Sequence, residues 1–151
     1  MIQADPRTAV LVTGSREWRD YAPIKERLDG YPIGTILLHG DCGRFVDRND
    51  LGQRIRPYYI GADKIAADLG RHKFNVWPLP YFSDLKKQGG HARNGCLVNL
   101  LVTLARSGFA CSVEAFPWGP STGTRGCIEK AKSAAVLTCP QPLIIRVTEG
   151  V

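Results

Sequence analysis

The feature that most constrains this fold is a regular alternation of short apolar runs with stretches of helical periodicity. Apolar runs typical of buried strands occur at 9–13, 35–40, 73–80, 110–117 and 142–147. Stretches with helical spacing lie between them, at 21–30, 61–70, 92–108 and 121–135. Parallel strands need crossover connections, and these connections are usually helices. The sequence therefore predicts an α/β fold, with an open parallel sheet and helices on both faces.

Length and apolar content set the size of this fold and its environment. A chain of 151 residues with 44% apolar residues matches one compact domain spanning 1–151. No apolar stretch approaches the roughly 20 residues needed to cross a bilayer. The N-terminal segment "MIQADPRT" also lacks the layout of a signal peptide. We therefore expect a cytoplasmic protein that does not associate with a membrane.

The cysteines and histidines give no sign of a metal or disulfide framework. The five cysteines are odd in number, widely spaced and without a C-x-x-C pair, and they are Cys42, Cys96, Cys111, Cys127 and Cys139. We interpret them as reduced thiols, mostly in the core. The three histidines, His39, His72 and His91, do not complete a credible metal spacing. The sequence thus predicts neither a metal nor a cofactor.

The chain is basic, which favours anionic partners without identifying them. The chain has 20 lysines and arginines and 14 acidic residues, which gives a formal charge of +6 and a pI of about 9.2. Nucleic acid and a phosphorylated small molecule are both compatible with this charge, as is a simple solvated surface. Nucleic acid is the less favoured partner, because no run of like charge or RNA-binding signature is present.

Small and polar residues follow the predicted strands where a ligand would bind in such a sheet. Ligands of open α/β sheets bind outside the carboxyl ends of the strands. After the first strand, Gly14 permits close backbone approach, Ser15 offers a hydroxyl and Arg16 offers paired donors to a phosphate. An anion site is one interpretation of this segment, and an ordinary turn with a surface arginine is the other.

The segment "PSTGTRG" at 120–126 makes a stronger case for an anion site. It places hydroxyls, glycines and an arginine at the start of a predicted helix, where free amides attract anions. We expect Ser121, Thr122 or Thr124 to cap this helix. The segment is neither a Walker A loop nor a G-x-G-x-x-G fingerprint. An ordinary capped helix is the alternative interpretation.

A third polar loop, "HGDC" at 39–42, follows the second strand. His39 and Asp41 are candidates for an acid and base pair, or for hydrogen bonds to a ribose. A purely structural histidine is the alternative. No G-x-S-x-G elbow is present to indicate a serine hydrolase.

Five segments occur in an order that resembles a known family. They are "VLVTGSREW", "LLHGDC", "GADKIAADLGR", "ARNGCLV" and "STGTRGCIEKAK", and they extend from about Val10 to Val136. Together they resemble the SLOG superfamily, in its YspA and cpYpsA-related branch. The resemblance implies a Rossmann-like fold that binds nucleotides or nucleotide-derived ligands.

The resemblance and the loop patterns together predict a set of ligand-binding residues. By resemblance, Asp63 caps the helix that follows "GAD" or contacts a sugar hydroxyl. No catalytic residue is assigned. The expected ligand-binding residues are Gly14, Ser15, Arg16, His39, Gly40, Asp41, Ala62, Asp63, Arg93, Asn94, Ser121, Thr122, Gly123, Thr124 and Arg125.

The chain departs from the family pattern by an inserted loop at about 44–60, "RFVDRNDLGQRIRPYYI". The insertion carries four arginines and three aromatic residues, which are Arg44, Arg48, Arg54, Arg56, Phe45, Tyr58 and Tyr59. Because it starts from a pocket loop, we expect a lid over the ligand, a stacking platform or a subunit contact rather than an idle excursion. The insertion and the apolar stretch at 92–106 also favour a homo-oligomer, a dimer or larger.

A second departure concerns catalysis. Related phosphoribohydrolases carry a glutamate shortly after the "GT" motif, whereas this chain has Arg125, Gly126 and Cys127 there. The leading hypothesis is therefore a binding module that senses or sequesters a cyclic-nucleotide or ADP-ribose-type signal, for instance as a viral decoy. The alternative is a nucleotide hydrolase of the phosphoribohydrolase type, with Asp41, Asp63 or Glu17 as base. Binding of nucleic acid is a weaker third hypothesis.

Overall fold

A five-stranded parallel sheet forms the centre of the molecule. The computed structural model describes residues 7–138 and 142–151. Its central sheet has the order β5-β2-β1-β6-β7 and consists of β1 (Thr8–Gly14), β2 (Ile36–His39), β5 (Asn75–Pro78), β6 (Ala110–Phe116) and β7 (Ile144–Val147). Each of these strands lies within or around an apolar run identified in the sequence. The predicted α/β fold with a parallel sheet is confirmed.

Helices cover both faces of the sheet. They are α1 (Tyr21–Leu28), α2 (Ala62–Gly70), α3 (Gly89–Arg106) and α4 (Thr122–Ala134). Short 3₁₀ segments occupy Ser83–Gln88 and Ala135–Thr138. The first of these was not predicted, and α3 begins at Gly89 rather than at residue 92. In the described part of the chain, no helix is both long and apolar enough to cross a membrane.

Two apolar layers hold the helices against the sheet. Successive strand residues point to opposite faces. On one face Val10 belongs to a buried cluster with Ile24 of α1 and Ile65 of α2. On the other face Leu11 belongs to a cluster with Leu101 of α3 and with residues of α4. Helices α1 and α2 therefore share one face, while α3 and α4 share the other.

The strand order creates a crevice at the centre of the sheet. Strand β1 lies between β2 and β6. From β1 the chain winds outward through β2 to β5, and it then crosses by α3 to β6 and β7 on the other side. The connection after β1 leads to α1 and the connection after β6 leads to α4, and these two helices lie on opposite faces of the sheet. Ligands of open α/β sheets bind at such a switch point.

The insertion is an antiparallel hairpin, with a shift of register between Val46 and Arg48, and not a loop. It consists of β3 (Arg44–Arg48) and β4 (Arg54–Ile60). Alternation of apolar and polar residues is weak in this segment, so the strands were not predicted. At the base of the hairpin, the Tyr59 backbone N–H donates to the Tyr21 hydroxyl at 2.8 Å, and the Tyr59 ring lies 5.2 Å from that of Phe45. The hydrogen bond attaches the hairpin to α1, and the ring contact joins its two strands.

The cysteine expectation holds for only part of the set. The four cysteines in the described residues are free thiols. Cys111 and Cys127 are buried, but Cys42 is half-buried and Cys96 is exposed, so the expectation of mostly core positions is wrong for these two. Cys139 lies outside the described residues.

Candidate anion-binding site

Two adjoining cavities lie at the carboxyl ends of β1 and β2. The inner cleft has a volume of about 290 Å³ and the outer cavity a volume of about 780 Å³. Small-molecule sites in proteins usually have volumes of about 300–1,000 Å³. The two cavities share a set of lining residues, which are Arg16, Gly40, Cys42, Arg93, Asn94, Thr122 and Gly123.

The end of β1 forms one wall of the inner cleft. Gly14, Ser15 and Arg16 all line it, as the sequence predicted for this strand end. The Ser15 backbone N–H donates to the Phe116 carbonyl at 2.9 Å, and the Ser15 hydroxyl accepts from the Glu17 N–H at 3.1 Å. These bonds fix the turn and leave the exposed Arg16 side chain bordering both cavities.

The first turn of α4 forms the opposite wall. Its residues Ser121–Thr124 line the inner cleft. The first backbone hydrogen bond of the helix runs from the Arg125 N–H to the Ser121 carbonyl at 3.0 Å. The preceding amides have no partner within the helix, and helix N-termini of this kind attract anions. The expected cap is wrong for Ser121, because its backbone is left-handed, with φ 42°, and its side chain makes no cap hydrogen bond.

A buried arginine connects the two walls. Arg93 of α3 is only 5% exposed and lines both cavities. Its guanidinium donates to the Gly40 carbonyl, to the Asn94 side-chain oxygen at 2.8 Å and to the Cys42 sulfur at 3.4 Å. Asn94 in turn donates to the Gly123 carbonyl of α4 at 3.3 Å.

No carboxylate neutralises this arginine directly. Among residues 7–138 and 142–151, no ion pair involves Arg93. Its neighbour Gly40 leaves room for the guanidinium, since a Cβ there would lie 2.6 Å from the Arg93 Cζ atom. Buried charges are normally paired. The inner cleft therefore contains a guanidinium that is available to a bound anion, and Asp63 is the acid in the same lining.

Asp63 is the buried acid of the inner cleft. Its Oδ2 atom accepts the backbone N–H groups of Gly40 at 3.1 Å and Cys42 at 3.2 Å. Its Oδ1 atom is buried and has no partner within the described chain. Burial raises the pKa of Asp63 to about 6, although the two amides and Arg93 oppose this shift. The expected helix cap is wrong, because Asp63 bonds to the loop after β2 and the N-cap position is Gly61.

Basic residues outnumber acidic ones among the residues that line the outer cavity. The basic residues are Arg16, Arg44, His91, Arg93 and Lys130, and the acid is Asp41. The Asp41 carboxylate already accepts a hydrogen bond from Lys64 at 2.7 Å. Clustered charge of one sign in a concave surface raises the local concentration of oppositely charged ligands. The outer cavity is therefore suited to the remainder of an anionic ligand.

Three residues predicted for the site are not part of these two cavities. His39 lines a separate cavity of about 300 Å³, its Nδ1 atom accepts the Asp41 N–H at 2.9 Å, and burial lowers its pKa to about 4. Ala62 is fully buried and packs beneath Gly14. Arg125 pairs with Glu149 at 2.9 Å on the protein surface. These three residues lie outside both cavities, and a role for them in ligand binding stays a prediction.

Lys130, His91 and Tyr81 line the outer cavity but were not predicted. Lys130 had a recognisable signal, because Thr122, Gly126 and Lys130 are spaced four apart and share one face of α4. His91 and Tyr81 had no such signal. His91 lies in the first turns of α3, which begins earlier than its apolar pattern indicates, and Tyr81 lies in the segment between β5 and the 3₁₀ segment Ser83–Gln88.

Comparison with known proteins gives a family but no activity. No protein-family model matches the chain. The chain is 33% identical over 131 residues to the "Gene 61 protein" of Mycobacterium phage D29. The aligned region covers 84% of this chain and 90% of the phage protein. The chain belongs to the family of this phage protein. The name of the Gene 61 protein states no activity.

A solved structure was also matched. The C-terminal domain of a hydrogenase from Pyrococcus furiosus is 13% identical, and the match covers 97% of this chain and 95% of that one. Its TM-score is 0.32, which is too low to show a shared fold. The site is therefore interpreted from its own residues.

Proposed function

We propose that the protein binds a nucleotide-derived small ligand and senses or sequesters it without converting it. In this proposal a phosphate of the ligand occupies the inner cleft. The observation that carries the proposal is the buried Arg93 guanidinium, unpaired with any described carboxylate and shared between the cleft and the outer cavity. The free first-turn amides of α4 supply a second group of donors.

The outer cavity sets the class of ligand that we propose. A volume of about 780 Å³ accommodates a nucleoside and further phosphates beyond the one in the cleft. Its basic lining favours an anionic ligand, and Tyr81 offers an aromatic ring for a base. Cyclic nucleotides and ADP-ribose-type molecules carry this combination. The resemblance of the five segments to the SLOG superfamily is compatible with the same ligand class.

Membership in a family with a phage protein supports a role in sequestration. A phage product that holds a signalling nucleotide intact would act in the host cytoplasm as a decoy of an immune messenger. This role needs tight binding and no chemistry. A homo-oligomer remains a prediction, which light scattering coupled to size-exclusion chromatography tests directly.

Calorimetric titration with cyclic AMP and with ADP-ribose tests the proposal. We expect at least one of them to bind, and we expect Arg16→Met and Arg93→Met to weaken that binding by about tenfold or more. Arg106→Met is the matched control, since it removes the same group at an exposed position outside both cavities. Arg16→Met keeps the test valid if Arg93→Met fails to fold. Equal losses in all three variants, or no binding of either ligand, would contradict the proposal.

Hydrolysis is the second candidate, and Asp63 supports it. A carboxyl with its pKa raised to about 6 can act as an acid or base near neutral pH, and one oxygen of Asp63 is without a partner in the inner cleft. In that case Asp63→Asn would retain binding and abolish turnover. Mass spectrometry of the recovered ligand distinguishes the two functions. An unchanged ligand mass supports sequestration, while conversion to product supports the hydrolase.

A further inference from the structure

We propose that the β3–β4 hairpin supplies a second phosphate-binding surface, so that the preferred ligand is a short oligonucleotide rather than a mononucleotide. This inference rests on the proposed function, because the first phosphate is the one placed in the inner cleft. The surface consists of the hairpin arginines Arg44, Arg48, Arg54 and Arg56. We call it the arginine surface.

Two of these arginines face each other across the hairpin. Arg48 of β3 lies directly opposite Arg54 of β4. Like charges in this position destabilise a pair of strands. Neither residue forms an ion pair within the described chain, although Arg48 donates one hydrogen bond to the Gly52 carbonyl at 3.0 Å. A bound phosphate between the two guanidinium groups would convert their repulsion into attraction.

The arginine surface continues directly from the outer cavity. Arg44, at the base of the hairpin, lines that cavity and pairs with Glu17 at 3.1 Å. Arg44 and Arg48 are four residues apart on the same strand, which places them about 13 Å apart along it. A ligand that leaves the cavity along β3 therefore meets positive charge at both positions. This continuity distinguishes the surface from scattered basic residues.

An aromatic ring on the Arg44 side of the hairpin favours nucleotides over other polyanions. Tyr58 is 37% exposed and lies opposite Val46, which shares a side of β3 with Arg44. Proteins that bind single-stranded nucleic acid combine a basic track with aromatic rings on which bases stack. An inorganic polyphosphate has no base to stack on the Tyr58 ring. The combination therefore points to an oligonucleotide with phosphates and bases in alternation.

The hairpin is also attached firmly enough to present these groups. An isolated two-stranded hairpin is marginally stable in water. Here the Tyr59 backbone N–H is bonded to the Tyr21 hydroxyl, and Ile60 at the end of β4 is buried. The arginine surface is thus held at a defined place beside the cavity.

Binding measured as a function of chain length tests the inference. The probes are AMP and a 5′-phosphorylated tetra-adenylate, titrated into the full chain. We expect the tetra-adenylate to bind at least about tenfold more tightly than AMP. The double variant Arg48→Gln/Arg54→Gln should remove this difference while leaving the affinity for AMP unchanged. Both substitutions are at exposed positions, and the like-charge repulsion that they remove makes loss of folding unexpected.

A matched control uses Arg106→Gln/Arg125→Gln, which removes two positive charges away from the hairpin. This variant should retain the preference for the tetra-adenylate. Equal affinity of the original chain for both probes overturns the inference but leaves the proposed function intact, as does an equal loss in the two double variants. Failure of both probes to bind overturns the inference, while the titrations with cyclic AMP and ADP-ribose decide the proposed function separately.

Discussion

Asp63 makes the stability of the folded chain fall as pH rises, and Asp63→Asn should remove this dependence. Burial raises the pKa of this carboxyl from its ordinary value of 3.8 to about 6 in the folded state. The unfolded chain therefore releases the proton at lower pH than the folded chain does. The stabilising contribution of Asp63 to the unfolding free energy is fully present below pH 3.8, and it is lost as pH rises through about 6.

The difference in pKa sets the size of the effect. A pKa of about 6 against 3.8 corresponds to about 3 kcal/mol of unfolding free energy between low and high pH. Roughly half of that falls between about pH 5 and about pH 8. Asparagine does not titrate and keeps an oxygen that accepts from the Gly40 and Cys42 amides. The variant should therefore lack this contribution entirely.

Urea unfolding of both chains across this pH range measures the effect. Because other groups titrate in both proteins, the informative quantity is the difference in unfolding free energy between the variant and the original chain. We expect that difference to shift by about 1–2 kcal/mol in favour of Asp63→Asn from about pH 5 to about pH 8. Glu129→Gln, at an exposed position of α4, is the control and should show no shift. Parallel curves for the original chain and Asp63→Asn would refute the reasoning.

Three glycine substitutions test the packing around the site. Gly14→Ala places a Cβ 2.3 Å from the Ala62 Cβ, so urea unfolding should show a loss of about 1–3 kcal/mol, and unchanged stability would contradict this packing. Gly40→Ala pushes on the Arg93 guanidinium at 2.6 Å, and calorimetry should show weaker nucleotide binding, by about tenfold, which an unchanged affinity would refute. Gly95→Ala adds a Cβ with nothing within 4 Å in the interior of α3, and should stabilise the chain by about 0.5–1 kcal/mol without altering binding. A loss of stability there would show that the space is not open.

The strand-end residues could be predicted because local sequence determines them. An apolar run that stops at Gly14 ends a buried strand, and parallel strands bring their carboxyl ends to one edge of the sheet. Ser15, Arg16 and Gly123 therefore lie in the inner cleft, as predicted. The spacing of Thr122, Gly126 and Lys130, four residues apart on one face of α4, also indicates Lys130 as a residue of the site.

Residues whose role depends on distant contacts could not be placed in the same way. Asp63 bonds to amides 21 and 23 residues away, and no local pattern distinguishes that arrangement from a helix cap. Arg125 stands beside the predicted phosphate loop in sequence, but the 100° turn per helical residue directs it to Glu149 on the surface. Sequence proximity was misleading for Arg125, because helical phase decides which side chains reach the cleft.

Native mass spectrometry of the purified chain, followed by denaturation and identification of any released molecule, tests the central claim most directly. We expect the original chain to carry one small molecule that contains phosphate and is released intact, and we expect Arg93→Met to be purified without it. The claim that the cleft binds a nucleotide-derived ligand is contradicted if the original chain shows only the mass of the protein without a bound molecule, both as purified and after incubation with cyclic AMP and ADP-ribose.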